Sequence, residues 1–223
     1  MSRSAATVAR FTDALLICGP SGSGKTTFID ALVEGSLPAE LAAALPPGAG
    51  RWPTFLEKDI RSRQVVLEFS GEGAQEGVVF HYDTFFVHRA GVSDYTRDPI
   101  YPYLREALHL TIVDLRPSAE ALKGQFDRRM REKFRRMSVL DRYWKQGAVK
   151  HLKRLRYKLF RIGLPYTRDL YEDADKIDAC YRSWDDFLTH VQSVRGGETR
   201  ILNVVPEGEE GAPPRFRLAG ARA

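Results

Sequence analysis

The chain has 223 residues, a formal net charge of +5 at pH 7 and a hydrophobic fraction of 43%. This length and apolar content suit one globular domain with a packed core, and no apolar run reaches the roughly 18 residues of a membrane helix. No secretory signal precedes Asp13, and the two distant cysteines, Cys18 and Cys180, give no indication of a disulfide framework or a zinc site. We therefore expect a cytoplasmic protein without membrane insertion.

The most specific feature of the sequence follows the first apolar run. Residues 14–18 predict a buried strand, and the string Gly19-Pro-Ser-Gly-Ser-Gly-Lys-Thr26 then fits the phosphate-loop pattern G-x-x-x-x-G-K-[ST]. Apolar residues at helical spacing predict a helix over about 25–35 that ends near Gly35. In this context the loop amides and the helix N-terminus converge on one point, which suits a phosphate group. We therefore predict a site for a nucleoside triphosphate.

The residues expected to bind the nucleotide form one continuous stretch. They are Gly19, Pro20, Ser21, Gly22, Ser23, Gly24, Lys25, Thr26 and Thr27. Lys25 is expected to reach the β- and γ-phosphates as a catalytic lysine, and the Thr26 hydroxyl is expected to bind Mg²⁺. The alternative is a glycine-rich turn that binds nothing. ATP and Mg²⁺ are the predicted ligands.

Beyond the first helix, strands and helices alternate along the chain. A short helix is predicted over 38–45, strands over 65–69 and 78–82, a helix within 94–108, a strand over 110–115 and a long helix after Ser118. This alternation predicts an α/β fold, a three-layer α/β/α arrangement around a mostly parallel sheet. Since ligands of such sheets bind at the carboxyl ends of the strands, we expect the loop at 19–26, Asp83 and Asp114 on one rim.

The last part of the chain is predicted to be helical and then extended. Helices are expected near 146–162 and from Ser183 to about 194, with a short strand over 175–181 between them. Residues 199–205 and 215–218 are predicted to pair as a hairpin. We divide the chain into a lead-in at 1–12, a main domain at 13–195 and a C-terminal tail or small hairpin at 196–223.

Basic residues are concentrated between positions 128 and 161. This stretch contains many arginines and lysines against two acidic residues, Glu132 and Asp141. Arg128 and Arg131 are candidates to neutralise a phosphoryl group during transfer. Most of the other basic side chains are expected to lie on the solvent-exposed face of a helix. The stretch is also a candidate surface for a polyanion, such as a nucleic acid, or for a protein partner.

Three stretches together carry a family resemblance. They are the loop at 19–26, the strand V-V-F-H-Y-D that ends at Asp83, and T-I-V-D-L-R-P-S-A-E-A-L-K-G-Q-F-D-R-R-M-R at 111–131. They resemble the P-loop kinases, the nucleotide and small-molecule kinase branch of the P-loop NTPases. The resemblance implies the P-loop NTPase fold and transfer of the γ-phosphoryl group of ATP to a small-molecule acceptor. It also implies that Asp83 orders Mg²⁺ or accepts a hydroxyl proton, and that the basic helical region at 128–162 is lid-like.

Several alternatives accompany this interpretation. Asp83 also fits a helix cap or a turn, and His81 is expected to pack within its strand rather than to act as a base. An ABC transporter signature close to L-S-G-G-Q and the guanine-reading Asn-Lys-x-Asp motif of GTPases do not occur in the sequence, which favours a kinase and favours ATP over GTP. The competing functions are a regulatory nucleotide-binding ATPase module and a kinase or ATPase that acts on nucleic acid.

Overall fold

One six-stranded sheet organises the described part of the chain. The computed structural model describes residues 11–62, 75–84, 94–135, 173–207 and 215–222. The strands are β1 Phe11–Gly19, β2 Thr54–Leu56, β3 Gln75–Asp83, β4 His109–Leu115, β5 Glu198–Glu207 and β6 Arg215–Arg222. They lie in the order β2-β3-β1-β4-β5-β6, and every pair is parallel except the antiparallel pair β5–β6. The predicted α/β class with a mostly parallel sheet is confirmed.

Helices pack on both faces of this sheet. They are α1 Lys25–Glu34, α2 Ala39–Ala44, α3 Glu57–Arg61, α4 Tyr101–Glu106, α5 Ala119–Arg135 and α6 Ala174–Val194, with short 3₁₀ turns at Ala49–Arg51 and Tyr95–Arg97. Among these described helices, none combines the length and the apolar character that a membrane span requires. Helices on both faces of a mostly parallel sheet are compatible with a three-layer α/β/α arrangement.

The alternation of side chains along the strands builds two separate cores. Leu16 points to the face covered by α4 and α6, where Trp184 is fully buried. Its neighbour Leu15 points to the face covered by α1 and α2, where Phe28 is fully buried. Because successive residues of a strand point to opposite faces, the register also decides which polar residues at the strand ends share a cavity.

Most predicted elements have a counterpart in the described residues. The predicted strands at 14–18, 78–82 and 110–115 correspond to β1, β3 and β4, the helices at 25–35 and 38–45 to α1 and α2, and the long helix after Ser118 to α5. The regular part of the helix within 94–108 is α4, and the C-terminal hairpin is formed by β5 and β6. The strand at 65–69 and the helix at 146–162 lie outside the described residues.

The prediction for residues 175–194 is wrong in its first half. α6 is one continuous helix, and the Asp173 side chain caps it by accepting a hydrogen bond of 3.1 Å from the Asp175 amide. Ser183 is not a cap, because its hydroxyl donates to the Ala179 carbonyl within the helix. The helix continues through this point because its buried residues form one stripe along it: Ile177, Cys180, Trp184, Phe187, Leu188 and Val191.

β2 and α3 have no counterpart among the predicted elements. β2 has only three residues, which is too short for a period-of-two pattern to be recognised in the sequence. It is a strand because it pairs with β3, with Leu56 opposite His81. α3 follows at once, and the Leu56 amide donates to the Asp59 carboxylate at 2.9 Å across its first turn.

Candidate functional site

A tight glycine-rich loop joins β1 to α1. Gly22 and Gly24 adopt φ values of +97° and +94°, in the region that glycine occupies without a steric penalty. The Ser23 amide donates to the Pro20 carbonyl at 3.0 Å, and the Phe28 amide donates to the Gly24 carbonyl at 2.9 Å as α1 begins. The loop therefore turns directly into the N-terminus of a ten-residue helix, where backbone N–H groups and the helix dipole favour an anion.

Gly19 is the point at which the backbone is most crowded. Its φ is +151°, and a Cβ there would lie 2.5 Å from the Ser23 Oγ and 2.7 Å from the Leu115 carbonyl oxygen. The Gly19 carbonyl accepts a hydrogen bond of 3.2 Å from the Thr84 amide. The end of β3 is thus joined directly to the first residue of the loop, and only glycine fits this position.

Lys25 is the first residue of α1 and is almost fully buried. Its Nζ donates to the Gly19 carbonyl at 2.7 Å and to the Pro20 carbonyl at 2.9 Å, so the side chain reaches back across the loop. The Ser23 hydroxyl is fully buried beneath the loop and has no hydrogen-bond partner among the described residues. An ammonium at the centre of the loop and a row of backbone amides are groups that fit a bound phosphate chain.

The loop faces a cavity of about 250 Å³. The cavity is lined by Ser21, Gly22, Gly24, Lys25, Thr26, Leu56, Glu57, Lys58, His81 and Asp83. Six of the predicted site residues are therefore brought together, including Lys25, Thr26 and Asp83. The other predicted loop residues, Gly19, Pro20, Ser23 and Thr27, are not among the residues that line it.

Asp83 and Asp114 both lie at strand ends, yet only Asp83 lines the cavity. Gly19 is opposite Asp83 in the β1–β3 register, and Cys18 is opposite Asp114 in the β1–β4 register. Since Cys18 and Gly19 are consecutive, their partners point to opposite faces of the sheet. Asp83 points to the face of α1 and Asp114 to the face of α6. The expected common rim holds for the backbone positions but not for the Asp114 side chain.

Asp114 is part of a buried ionic network instead. Its carboxylate is fully buried and accepts a hydrogen bond of 2.6 Å from the Arg116 Nε. The Arg116 guanidinium also donates to both carboxylate oxygens of Asp185 on α6 and lies 5.3 Å from the centre of the Tyr181 ring. Burial raises the pKa of Asp114, although Arg116 opposes this. Burial also raises the pKa of the adjacent Cys18 thiol. The network joins the end of β4 to α6.

Four cavity residues were not predicted to bind a ligand: Leu56, Glu57, Lys58 and His81. The first three lie at the junction of β2 and α3. The sequence pattern did not predict these two elements. His81 was expected to pack, and it is half-buried in β3 with its side chain on the cavity face. Burial and the nearby Lys25 ammonium lower the pKa of His81 to about 4. The imidazole is therefore neutral near pH 7, with one donor and one acceptor nitrogen.

The two predicted arginines lie on α5, beyond the cavity lining. The first turns of α5 pack on α6 in a small apolar cluster, and the Gln125 Oε1 lies 3.7 Å from the position that a Cβ on Gly22 would take. α5 therefore passes beside the loop. Arg128 follows Gln125 by one helical turn and is half-buried, whereas Arg131 is exposed. The remainder of the basic stretch, residues 136–161, lies outside the described residues.

No protein-family model and no curated protein matches the sequence of this chain. The residues of the cavity and their geometry are therefore the basis on which a function is proposed.

Proposed function

We propose that this chain is a P-loop kinase that uses Mg²⁺ and ATP to phosphorylate a small-molecule acceptor. The observation that carries the proposal is the composition of one cavity. The glycine-rich loop and the N-terminus of α1 form one wall, and the Asp83 carboxylate enters from the adjacent strand. A phosphate-binding loop beside a carboxylate is the pair of features that phosphoryl transfer requires, because the chemistry depends on positioning and on charge neutralisation.

The residues divide into those that hold phosphate and those that hold the metal. Lys25 and the loop amides bind the triphosphate, and Lys25 exchanges its bonds to the Gly19 and Pro20 carbonyls for phosphate oxygens. Among the described residues no group of three or more His, Cys, Asp or Glu side chains is arranged for a metal ion. Mg²⁺ in nucleotide sites needs only one or two protein ligands together with phosphate oxygens, and Thr26 and Asp83 are ligands of that kind. When bound, Mg²⁺ neutralises charge on the phosphates.

The sheet and α5 add two supporting observations. The loop follows the central strand β1, with Asp83 on its direct neighbour β3, which supports the P-loop NTPase fold. α5 passes beside Gly22, so that Arg128 is only one turn from the loop. This supports a phosphate-binding role for the start of the basic stretch and makes Arg128 a better candidate than the exposed Arg131.

A product assay tests the proposal. The purified protein is incubated with Mg²⁺ and γ-labelled ATP in the presence of a broad panel of metabolites. A kinase transfers label to an acceptor, whereas release of the label only as inorganic phosphate would assign the chain to the ATPases. The Lys25→Met variant is the control, because a contaminating kinase would still transfer label in a preparation of that variant.

A further inference from the structure

The cavity has a second wall, which contains no residue of the glycine-rich loop. It is formed by the β2–α3 junction and by the end of β3, and its residues are Leu56, Glu57, Lys58 and His81. The register places Leu56 beside His81, and the bond from the Leu56 amide to the Asp59 carboxylate fixes the start of α3. We call these four residues the acceptor wall.

We propose that the acceptor wall binds a small alcohol, and that the chain therefore phosphorylates a hydroxyl group rather than a phosphate. The inference depends on the proposed kinase function, since the loop wall must bind the phosphate chain of ATP. It adds the class of acceptor and the two residues, Glu57 and His81, that recognise its hydroxyl groups.

The charges in the cavity favour an alcohol over a phosphorylated acceptor. The one carboxylate of the acceptor wall, Glu57, is half-buried, whereas its one cation, Lys58, is exposed to solvent. A phosphate dianion placed against this wall would meet the like charge of Glu57 in a partly desolvated site, where repulsion is stronger than in water. A neutral alcohol meets no such repulsion.

The hydrogen-bonding groups of the wall also match a hydroxyl group. Glu57 is half-buried, and its carboxylate accepts hydrogen bonds at several positions. His81 lines the same wall, and the two nitrogens of an imidazole ring can donate or accept hydrogen bonds. A hydroxyl group is also both donor and acceptor. Leu56 leaves 38% of its surface exposed beside these groups and offers an apolar contact to a carbon skeleton.

Transfer to an alcohol forms one bond to phosphorus and breaks another. The alcohol oxygen forms a bond to the γ-phosphorus of ATP, and the bond from that phosphorus to the bridging oxygen breaks. The electron pair of the broken bond stays with the β-phosphate of the ADP product. The hydroxyl proton passes to a carboxylate, and Glu57 is the carboxylate of the acceptor wall.

The linkage of the transferred label tests this inference. The protein is incubated with Mg²⁺ and γ-labelled ATP, together with glycerol, ribose, glucose and adenosine as alcohol probes, and with AMP and UMP as phosphate probes. A further reaction contains a deproteinised small-molecule cell extract. Phosphate esters of alcohols survive brief hot acid, whereas phosphoanhydrides do not. We expect label in acid-stable products.

Variants of the acceptor wall complete the test. Glu57→Gln should lower acid-stable transfer by about 100-fold or more, as expected for loss of a proton acceptor, while the affinity for ATP stays unchanged. His81→Asn should raise the KM for the alcohol more than it lowers kcat. Glu40→Gln on α2, an exposed acid outside the cavity, is the matched control and should retain full transfer.

The outcomes separate this inference from the kinase function. Acid-labile label on AMP, UMP or an extract component overturns the alcohol acceptor and leaves a kinase. No transferred label in any reaction, with ATP still bound, overturns both. Equal transfer by Glu57→Gln and Glu40→Gln overturns the role of Glu57.

Discussion

Gly19 and Asp83 are register partners at the carboxyl ends of the adjacent parallel strands β1 and β3. The bond from the Thr84 amide to the Gly19 carbonyl holds these two strand ends together. The carboxylate is consequently placed beside the glycine-rich loop by the register of the sheet. Strands in a sheet are rigidly spaced, so the sheet fixes the distance between the Asp83 backbone and the start of the loop.

Asp83→Asn should weaken the response of the protein to Mg²⁺. The amide keeps the shape of the side chain but removes the charge that we propose holds the metal. Charged interactions of this kind contribute roughly 1.5–3 kcal/mol, so the Mg²⁺ concentration for half-maximal turnover should rise by about tenfold or more. A titration of ATP turnover with Mg²⁺ measures the change. The control variant Asp30→Asn changes an exposed residue of α1 and should behave as the wild type. An Asp83→Asn titration curve that superimposes on the wild-type curve would show that Asp83 does not hold the metal.

Gly19→Ala should both destabilise the fold and weaken nucleotide binding. The added Cβ would lie within 2.7 Å of the Leu115 carbonyl oxygen and closer still to the Ser23 Oγ. Backbone strain of this kind costs about 1–3 kcal/mol. Gly124→Ala is the matched control, because a Cβ there meets nothing within 4 Å, and in the exposed interior of α5 it should stabilise the protein by up to about 1 kcal/mol. Urea denaturation of both variants measures the effect, and a stable Gly19→Ala protein would refute the crowding.

Stability should depend on the protonation of His81. Its folded pKa is about 4 against an ordinary value of 6.5, so between these pH values the unfolded chain binds more protons. The stability associated with neutral His81 is therefore complete above pH 6.5 and is lost as the pH falls towards 4. The wild type should lose more unfolding free energy than His81→Asn between about pH 7 and about pH 4.5, measured by urea denaturation. Equal losses in the two proteins would show that His81 is not held neutral by the fold.

Local patterns predicted the start of the site better than its other parts. The loop, β1 and α1 are one continuous segment, so motif and periodicity together predicted the strand, the turn and the helix that begins at Lys25. Asp83 was predicted from a strand end, a signal that Asp114 shares. Only the register shows that the two carboxylates point to opposite faces, and register is a property of the assembled sheet.

Tertiary pairing explains the features that the sequence analysis missed. β2 has three residues and becomes a strand only by pairing with β3, so Glu57 and Lys58 gave no local signal of a cavity position. The error at Ser183 has a similar origin, because its capping propensity is outweighed by the burial of the α6 stripe against the sheet. The proximity of Gln125 to Gly22 likewise follows from how α5 packs on α6.

The Arg116 network should be important for stability. Arg116→Met would leave the fully buried Asp114 carboxylate without its cation, and breaking a buried pair in this way costs about 3–5 kcal/mol. Arg97→Met breaks a pair with Asp94 whose side chains are 82% and 48% exposed, and it should change stability little because exposed ion pairs are weak. Urea midpoints compare the two variants. Similar midpoints for both would contradict a structural role for the network.

The binding of ATP with Mg²⁺ to the wild type and to Lys25→Met, measured by calorimetry, tests the central claim most directly. Methionine fills the space of the lysine stem but cannot donate to phosphate. We predict that the wild type binds MgATP and that Lys25→Met, with an unchanged circular dichroism spectrum, loses at least about tenfold in affinity, since hydrogen bonds to charged groups contribute roughly 1.5–3 kcal/mol. Lys123→Ala, an exposed lysine on α5, should bind as the wild type does. Equal MgATP affinity in Lys25→Met and the wild type, or no binding by the wild type, would contradict the proposal that the loop at 19–26 is a triphosphate site.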